Sequence, residues 1–201
     1  FEAELRASEG STAAKARSYV DAAVDRLVWY AGWADKIAQV LGGANPVSGP
    51  YFDFSIPEPT GVVTVIAPQE SSLLGLVSVL APVVVTGCTA VVVASEQRPL
   101  GAITLAEVLA TSDVPAGVVN VLTGRVSELA PVLAAHMDVD AIDLTGVEAV
   151  FERVELERAA AANVKRTFLS HPTEAGWMAE PGLDRLRACI EIKTVWHPIG
   201  I

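Results

Sequence analysis

The chain has 201 residues, 51% of them hydrophobic, which suits one domain with a well-buried core. Its 24 acidic residues outnumber 14 basic ones, for a formal net charge of −10. No basic run or aromatic–basic interleaving occurs, so nucleic acid is excluded as a partner, because phosphate binding needs clustered Lys and Arg.

Taken in chain order, residues 11–41 read as one amphipathic helix or two, with Val20, Val24, Leu27, Trp29, Tyr30, Trp33, Ile37 and Val40 on an apolar side. Residues 42–57 form a Gly/Pro-rich passage around YFDF, expected to be a loop with a short strand. EPTGVVTVIAP (58–68) has a β-branched run bounded by Pro and Gly, the mark of a buried strand. A buried helix is expected over 71–87, with Gly87 as its stop. TAVVVAS (89–95) reads as a second strand, 99–111 as a helix with Pro99 in its first turn, and VVNVLTG (118–124) as a third strand. A short helix over 127–136 leads to a fourth strand, VDAIDLTG (139–146). An Ala- and Glu-rich helix over 148–163 precedes a fifth strand over 164–170. Residues 170–182 look like a linker, followed by a helix turn and a closing strand over 189–196. The uncharged run 71–95 is long enough for a membrane span. Pro82, Thr86, Gly87 and Thr89 punctuate it where a helix hands over to a strand, so the βα rhythm explains it without a membrane.

Strands alternating with helices imply an α/β fold, a Rossmann-like parallel sheet flanked by helices, here preceded by a helical segment. Ligands of such sheets sit at the carboxyl ends of the strands, which fall at Pro68, Ser95–Glu96, Thr123–Gly124 and Thr145–Gly146. The expected organisation is N-terminal helices and loop (1–57), a nucleotide-binding type domain (58–170), a linker (171–188) and a terminal strand (189–201). Cys88 and Cys189 match no zinc or redox spacing, and the expected setting is reducing and cytoplasmic.

Several segments, in order, resemble the aldehyde dehydrogenase superfamily. YAGWADKI (30–37) is similar to the helix before its coenzyme domain, and EPTGVVTVIAP to the first coenzyme-domain strand. GCTAVVVASEQRPL (87–100) resembles the Gly-Asn-Thr-Val-Val-Leu-Lys-Pro-Ser-Glu segment. VPAGVVNVLTG and VDAIDLTG resemble the next two strand ends, AAANVKRTFLS (160–170) the run toward Leu-Glu-Leu-Gly-Gly-Lys, and EIKTVW (191–196) the C-terminal oligomerisation strand. The resemblance implies vestigial NAD(P) contacts at Glu96, the ribose-binding acid, and at Gly124 and Gly146, where backbone approaches the dinucleotide.

The departures are equally ordered. Where the family has Pro-Trp-Asn, with the Asn amide stabilising an oxyanion, this chain has Pro68-Gln69-Glu70, and a carboxylate there repels developing negative charge. The family's ribose-contacting Lys aligns with Val93, and the Ser capping the helix beneath the pyrophosphate aligns with Val147, which offers no oxygen. Ser170 and His171 follow Leu169 where the general-base Glu is expected. The short stretch between Ser170 and Glu191 leaves no room for a catalytic domain with its nucleophilic Cys, and both cysteines read as small buried hydrophobes. No catalytic residue and no metal site is therefore expected.

The remaining polar residues are read as structural. His136 ends a helix where a cation meets the dipole, His171 beside Ser170 lacks triad geometry, and His197 lies in the tail. Asp138 and Asp140 read as a solvated strand edge, and Glu148, Glu152, Glu155 and Glu157 with Arg153 and Arg158 as an exposed charged helix. The expectation is a non-catalytic subunit or domain binding NAD(P) weakly or not at all. It would assemble with a full-length aldehyde dehydrogenase, as separate chain or same polypeptide, in the manner of the family-16 enzymes whose second domain is incomplete. A homo-oligomer is the alternative assembly. The alternative functions are an NAD(P)-binding portion of an active oxidoreductase, and a small-molecule sensor using the vestigial cleft with Glu70 as selector.

Overall fold

The computed structural model describes residues 1–170 and 172–200. Helix α1 (Glu2–Glu9) stops at Gly10, which is left-handed at φ 64°. Helix α2 (Ala13–Ala31) is capped by Thr12, whose hydroxyl accepts from Lys15 N at 3.2 Å. The buried side of α2 is Ala16, Ala23, Arg26 and Tyr30, while Val24 and Leu27 of the expected apolar stripe are exposed. Small alanines let α2 lie close against the buried helix α4 (Leu74–Val85), and tertiary packing here overrides the apolar count.

A short helix α3 (Ile37–Leu41) leads into two strands, β1 (Gly43–Asn45) and β2 (Tyr51–Pro59). The passage expected as a loop with a short strand thus holds β1 and most of the nine-residue β2. The run 58–68 also divides. Glu58 and Pro59 end β2, and β3 (Val62–Ile66) begins after a corner at Gly61, φ 127°. Asp140 holds that corner, its Oδ2 accepting from Val62 N at 2.7 Å. It is exposed, as expected of a strand-edge residue, and also braces the corner.

From there the βα rhythm runs as expected: α4, β4 (Thr89–Val93), α5 (Leu100–Ala110), β5 (Val119–Leu122), α6 (Val126–Ala135), β6 (Ala141–Asp143), α7 (Val150–Ala161) and β7 (Arg166–Phe168). Gly87, at φ 86°, lies one residue past the α4 cap, where the sequence places the stop. The five strands are all parallel in the order β5-β4-β3-β6-β7. One face packs Val63, Val65, Ala90 and Val92 against α2 and α4. The other packs Ile66, Val93, Ile142 and Leu144 against α6 and α7. No helix among the described residues is long and apolar enough to cross a membrane.

The stretch expected as a linker is folded onto the body. It carries α8 (Glu174–Met178) and α9 (Asp184–Ala188), with Trp177 and Leu186 buried. The closing strand β8 (Ile190–Pro198) then pairs antiparallel with the chain's own β2 from Tyr51↔Pro198 to Pro59↔Ile190, giving a second sheet in the order β1-β2-β8.

Candidate functional site

In a sheet of order β5-β4-β3-β6-β7 the chain reverses direction between β3 and β6, and the carboxyl ends of these strands form the ligand crevice. That crevice is tight. Gly146 N donates to Ile66 O at 3.0 Å, and a Cβ at Gly146 would fall on the Ala67 carbonyl oxygen. The glycine is required by close approach of the chain's own backbone.

Glu96 and Gly124 lie further along the same edge. Glu96 reaches the start of α6, where its Oε1 accepts from Val126 N. No side chain at the α6 N-cap Arg125 performs this task, so Glu96 serves as a remote cap. Its own N–H is held by Gln69 Oε1 at 2.9 Å, and Gln69 Nε2 donates to Ala67 O at 2.9 Å. Gln69, in place of a tryptophan, therefore ties the β3 and β4 ends together. Gly124 has φ 157°, and a Cβ there would meet Leu129 Cδ1 at 3.0 Å. The three sequence-selected positions share one edge of the sheet, and Glu96 and Gly146 both have partners within the protein.

At the positions that diverge, Val93 and Val147 are core members packed with Leu144 and Leu156. Glu70 is exposed and lines a polar cleft of about 270 Å³ with Glu9, Lys15, Tyr19, Arg98 and Glu174. Arg98 donates to the Glu70 backbone carbonyl at 2.6 Å. Lys15 pairs with Glu174 at 2.8 Å, and Tyr19 donates to the same carboxylate. His171 lies outside the described residues, while Leu169 and Ser170 precede it at the end of β7.

The cysteines are buried, and Cys88 Sγ donates to Cys189 O at 3.2 Å. Burial, with Cys88 and Asp143 nearby, pushes the Cys189 thiol up to about 12, so it stays protonated and non-nucleophilic at neutral pH. His136 caps α6, and its carbonyl accepts from Lys165 Nζ at 2.5 Å. No group of three His, Cys, Asp or Glu able to hold a metal occurs among the described residues.

The strongest electrostatic feature was not legible in the sequence. Asp143, at the carboxyl end of β6, bonds Arg185 of α9 at 2.6 Å with both side chains nearly buried. Arg185 also donates to Thr145 Oγ1 at 3.2 Å and stacks 4.8 Å from the Phe168 ring. Burial raises the Asp143 carboxyl, and the Arg185 guanidinium and Thr145 pull it back. Arg26 of α2 donates to Ser78 Oγ at 2.9 Å and to the carbonyls of Trp177 and Ala179 at 2.7 and 2.8 Å. Two arginines thus fasten the 172–188 segment over the β6–β7 end of the sheet. The only advance signal was an acid inside a short apolar strand, AID. Between α6 and α7 lies a shallower apolar groove of about 170 Å³ lined by Val126, Ala130, Phe151 and Leu156.

Comparison with known proteins agrees with this architecture. The model of the aldehyde dehydrogenase family matches residues 2–191. Retinal dehydrogenase 2 of Mus musculus is 37% identical over 153 residues, covering 75% of this chain and 29% of that protein. Aldehyde dehydrogenase, cytosolic 1 of Elephantulus edwardii is 35% identical over 150 residues, with the same coverage. The solved betaine aldehyde dehydrogenase of Staphylococcus aureus in complex with NAD+ superposes with a TM-score of 0.78 at 27% identity, covering 85% of this chain and 33% of that one. The chain therefore spans less than a third of the length of these two relatives. It belongs to the aldehyde dehydrogenase family.

Proposed function

We propose that this chain is a non-catalytic aldehyde-dehydrogenase-family subunit or domain that assembles with a catalytically complete aldehyde dehydrogenase. The observation that carries this reading is the seal over the β6–β7 end. The segment between β7 and β8 supplies no catalytic domain, and instead anchors Trp177, Leu186 and Arg185 onto the sheet. A carboxylate at position 70 opposes an oxyanion, and both thiols are buried. A reducing, cytoplasmic setting suits two such thiols.

Assembly follows from the second sheet. The outer edge of β8 is nine residues long, and Phe52, Ile192 and Trp196 are exposed beside it. A long edge with apolar side chains is a template for another strand. Cofactor binding is weak or absent in this reading, because Glu96 would have to release the α6 N-terminus to accept a ribose hydroxyl, and Val147 offers no bond to a phosphate. The α6–α7 groove and the NAD+ bound in the structural relative favour a second reading, an NAD(P)-binding portion of an active enzyme.

Native mass of the protein isolated from its own cells tests the first reading. A mixed assembly with a complete aldehyde dehydrogenase, or one polypeptide carrying both parts, is expected. A monomer or pure homo-oligomer overturns it. A saturable thermal shift with micromolar NAD or NADP promotes the second reading, since a ligand that binds only the folded state raises its stability.

A further inference from the structure

Behind the seal lies a cleft of about 190 Å³ between α2, α4 and the folded segment, apart from the strand ends bearing Glu96 and Gly124. Its walls include Arg26, Tyr30, Trp177 and Arg185, and its rim carries Glu180 and Asp184. Arg26 is only 8% exposed, yet among the described residues it has no carboxylate partner. Three of its five N–H donors go to neutral oxygens, on Ser78, Trp177 and Ala179, which leaves two. The two carbonyl bonds explain how Arg26 orders the segment, but neutral acceptors do not cancel a buried positive charge. Arg185 adds a second guanidinium, and Asp143 neutralises only that one.

Tyr30 also lines the cleft, with its ring buried. Its hydroxyl makes no hydrogen bond among the described residues and is not one of their buried polar atoms without a partner, so it opens on the cleft and can donate into it. Burial holds the phenol above its usual range, and the nearby charges of Arg185 and Arg26 work against that shift. The inner end of the cleft is therefore donor-rich and positive. The outer end is opposite in sign: Glu180 is exposed, and Asp184 meets Arg187 only at 3.9 Å on the surface. Trp177 also lines the cleft.

We propose that this cleft binds a small zwitterionic carboxylate of the amino-acid class, with its carboxylate at Arg26, Arg185 and Tyr30 and its cationic group at Glu180 and Asp184. A plain carboxylate would satisfy the inner end and meet repulsion at the rim. A simple cation would meet the reverse.

The test uses the intact chain with 3-aminopropanoate and propanoate as probes, read by calorimetry and by thermal unfolding against sodium chloride at equal ionic strength. Saturable binding of 3-aminopropanoate, tighter than propanoate, is expected. Tyr30→Phe keeps the ring and breaks no internal hydrogen bond, and should weaken that binding about tenfold, as loss of a hydrogen bond to a charged group does. Glu180→Gln, at an exposed position, should remove the preference for 3-aminopropanoate without disturbing the fold. Absence of saturable binding by either probe overturns the proposal. So does equal affinity for the two, or unchanged affinity in a folded Tyr30→Phe. None of these results depends on whether a dehydrogenase partner exists.

Discussion

In the five-stranded sheet, Val63, Val65, Val92 and Ile142 are at most 2% exposed; in the three-stranded sheet, Phe52, Ile192 and Trp196 are 49, 52 and 59% exposed. Composition separates them in part: β3 and β4 are runs of Val, Ile, Ala and Thr, whereas β2 and β8 interleave apolar residues with Asp53, Ser55, Glu191 and Lys193. Coverage separates them further. Helices lie on both faces of the parallel sheet, and the 172–188 segment closes one end. The antiparallel sheet keeps aromatic side chains in solvent, where Tyr51 and Trp196 meet edge-on at 5.8 Å and Phe52 stacks on Phe54 at 5.3 Å. One sheet completes its burial within the chain. The other leaves the outer edge of β8 and several aromatic side chains exposed.

The largest effect should come from opening the completed sheet at its seal. Arg185→Ala strands Asp143 in a buried site and frees the α9 segment. Removing one partner of a buried ion pair costs about 3–5 kcal/mol, a large part of a typical domain's stability. Urea unfolding monitored by far-UV circular dichroism measures it. A loss below about 1 kcal/mol, the range of exposed pairs, would mean that the segment is loosely held and the contrast between the sheets is weaker than drawn.

Gly146→Ala should cost less, about 1–3 kcal/mol for overpacking. The new methyl group has backbone on its far side, the Ala67 carbonyl, which cannot rotate away. Thermal unfolding of this variant tests whether the crevice between β3 and β6 is closed. A neutral result would mean that the β3 and β6 ends part easily enough to admit a ligand.

What was legible in the sequence follows the same division. Continuous Val/Ile/Leu runs announce strands buried on both faces, and Gly87 marks the end of α4 as read. The sequence of β2 reads largely as loop because Tyr51–Pro59 contains two prolines and only part of an apolar alternation. Its long pairing with β8 bridges more than a hundred residues, and no local pattern encodes that. The site was harder still. Arg26 sits on a helix where a charge defaults to solvent, and Arg185 sits in a stretch that reads as linker. Their meeting around Trp177 and Asp143 is a tertiary fact. The family resemblance points Glu96 at a ribose, but its bond to Val126 N depends on where α6 begins relative to β4.

The smallest effect on folding, and the most selective for assembly, should come from the edge of the unfinished sheet. Thr60 N donates to Cys189 O, and Ile199 N donates to Pro50 O. Antiparallel ladders alternate, so the odd-numbered residues of β8, Val195 among them, direct their N–H groups toward β2, while Ile192, Thr194 and Trp196 direct theirs outward. Proline at Val195 would therefore damage the chain's own ladder. Proline at Ile192 removes an outward donor from an edge position, where proline is tolerated. Ile192→Pro should leave unfolding within about 1 kcal/mol of wild type, the range of surface substitutions, yet reduce incorporation into the mixed assembly. Ile192→Ala separates loss of the donor from loss of the side chain. Native mass of both variants reads the outcome. If Ile192→Pro assembles as wild type does, pairing does not run along the outer edge of β8, and the exposed aromatic faces become the surface by which a partner completes this sheet.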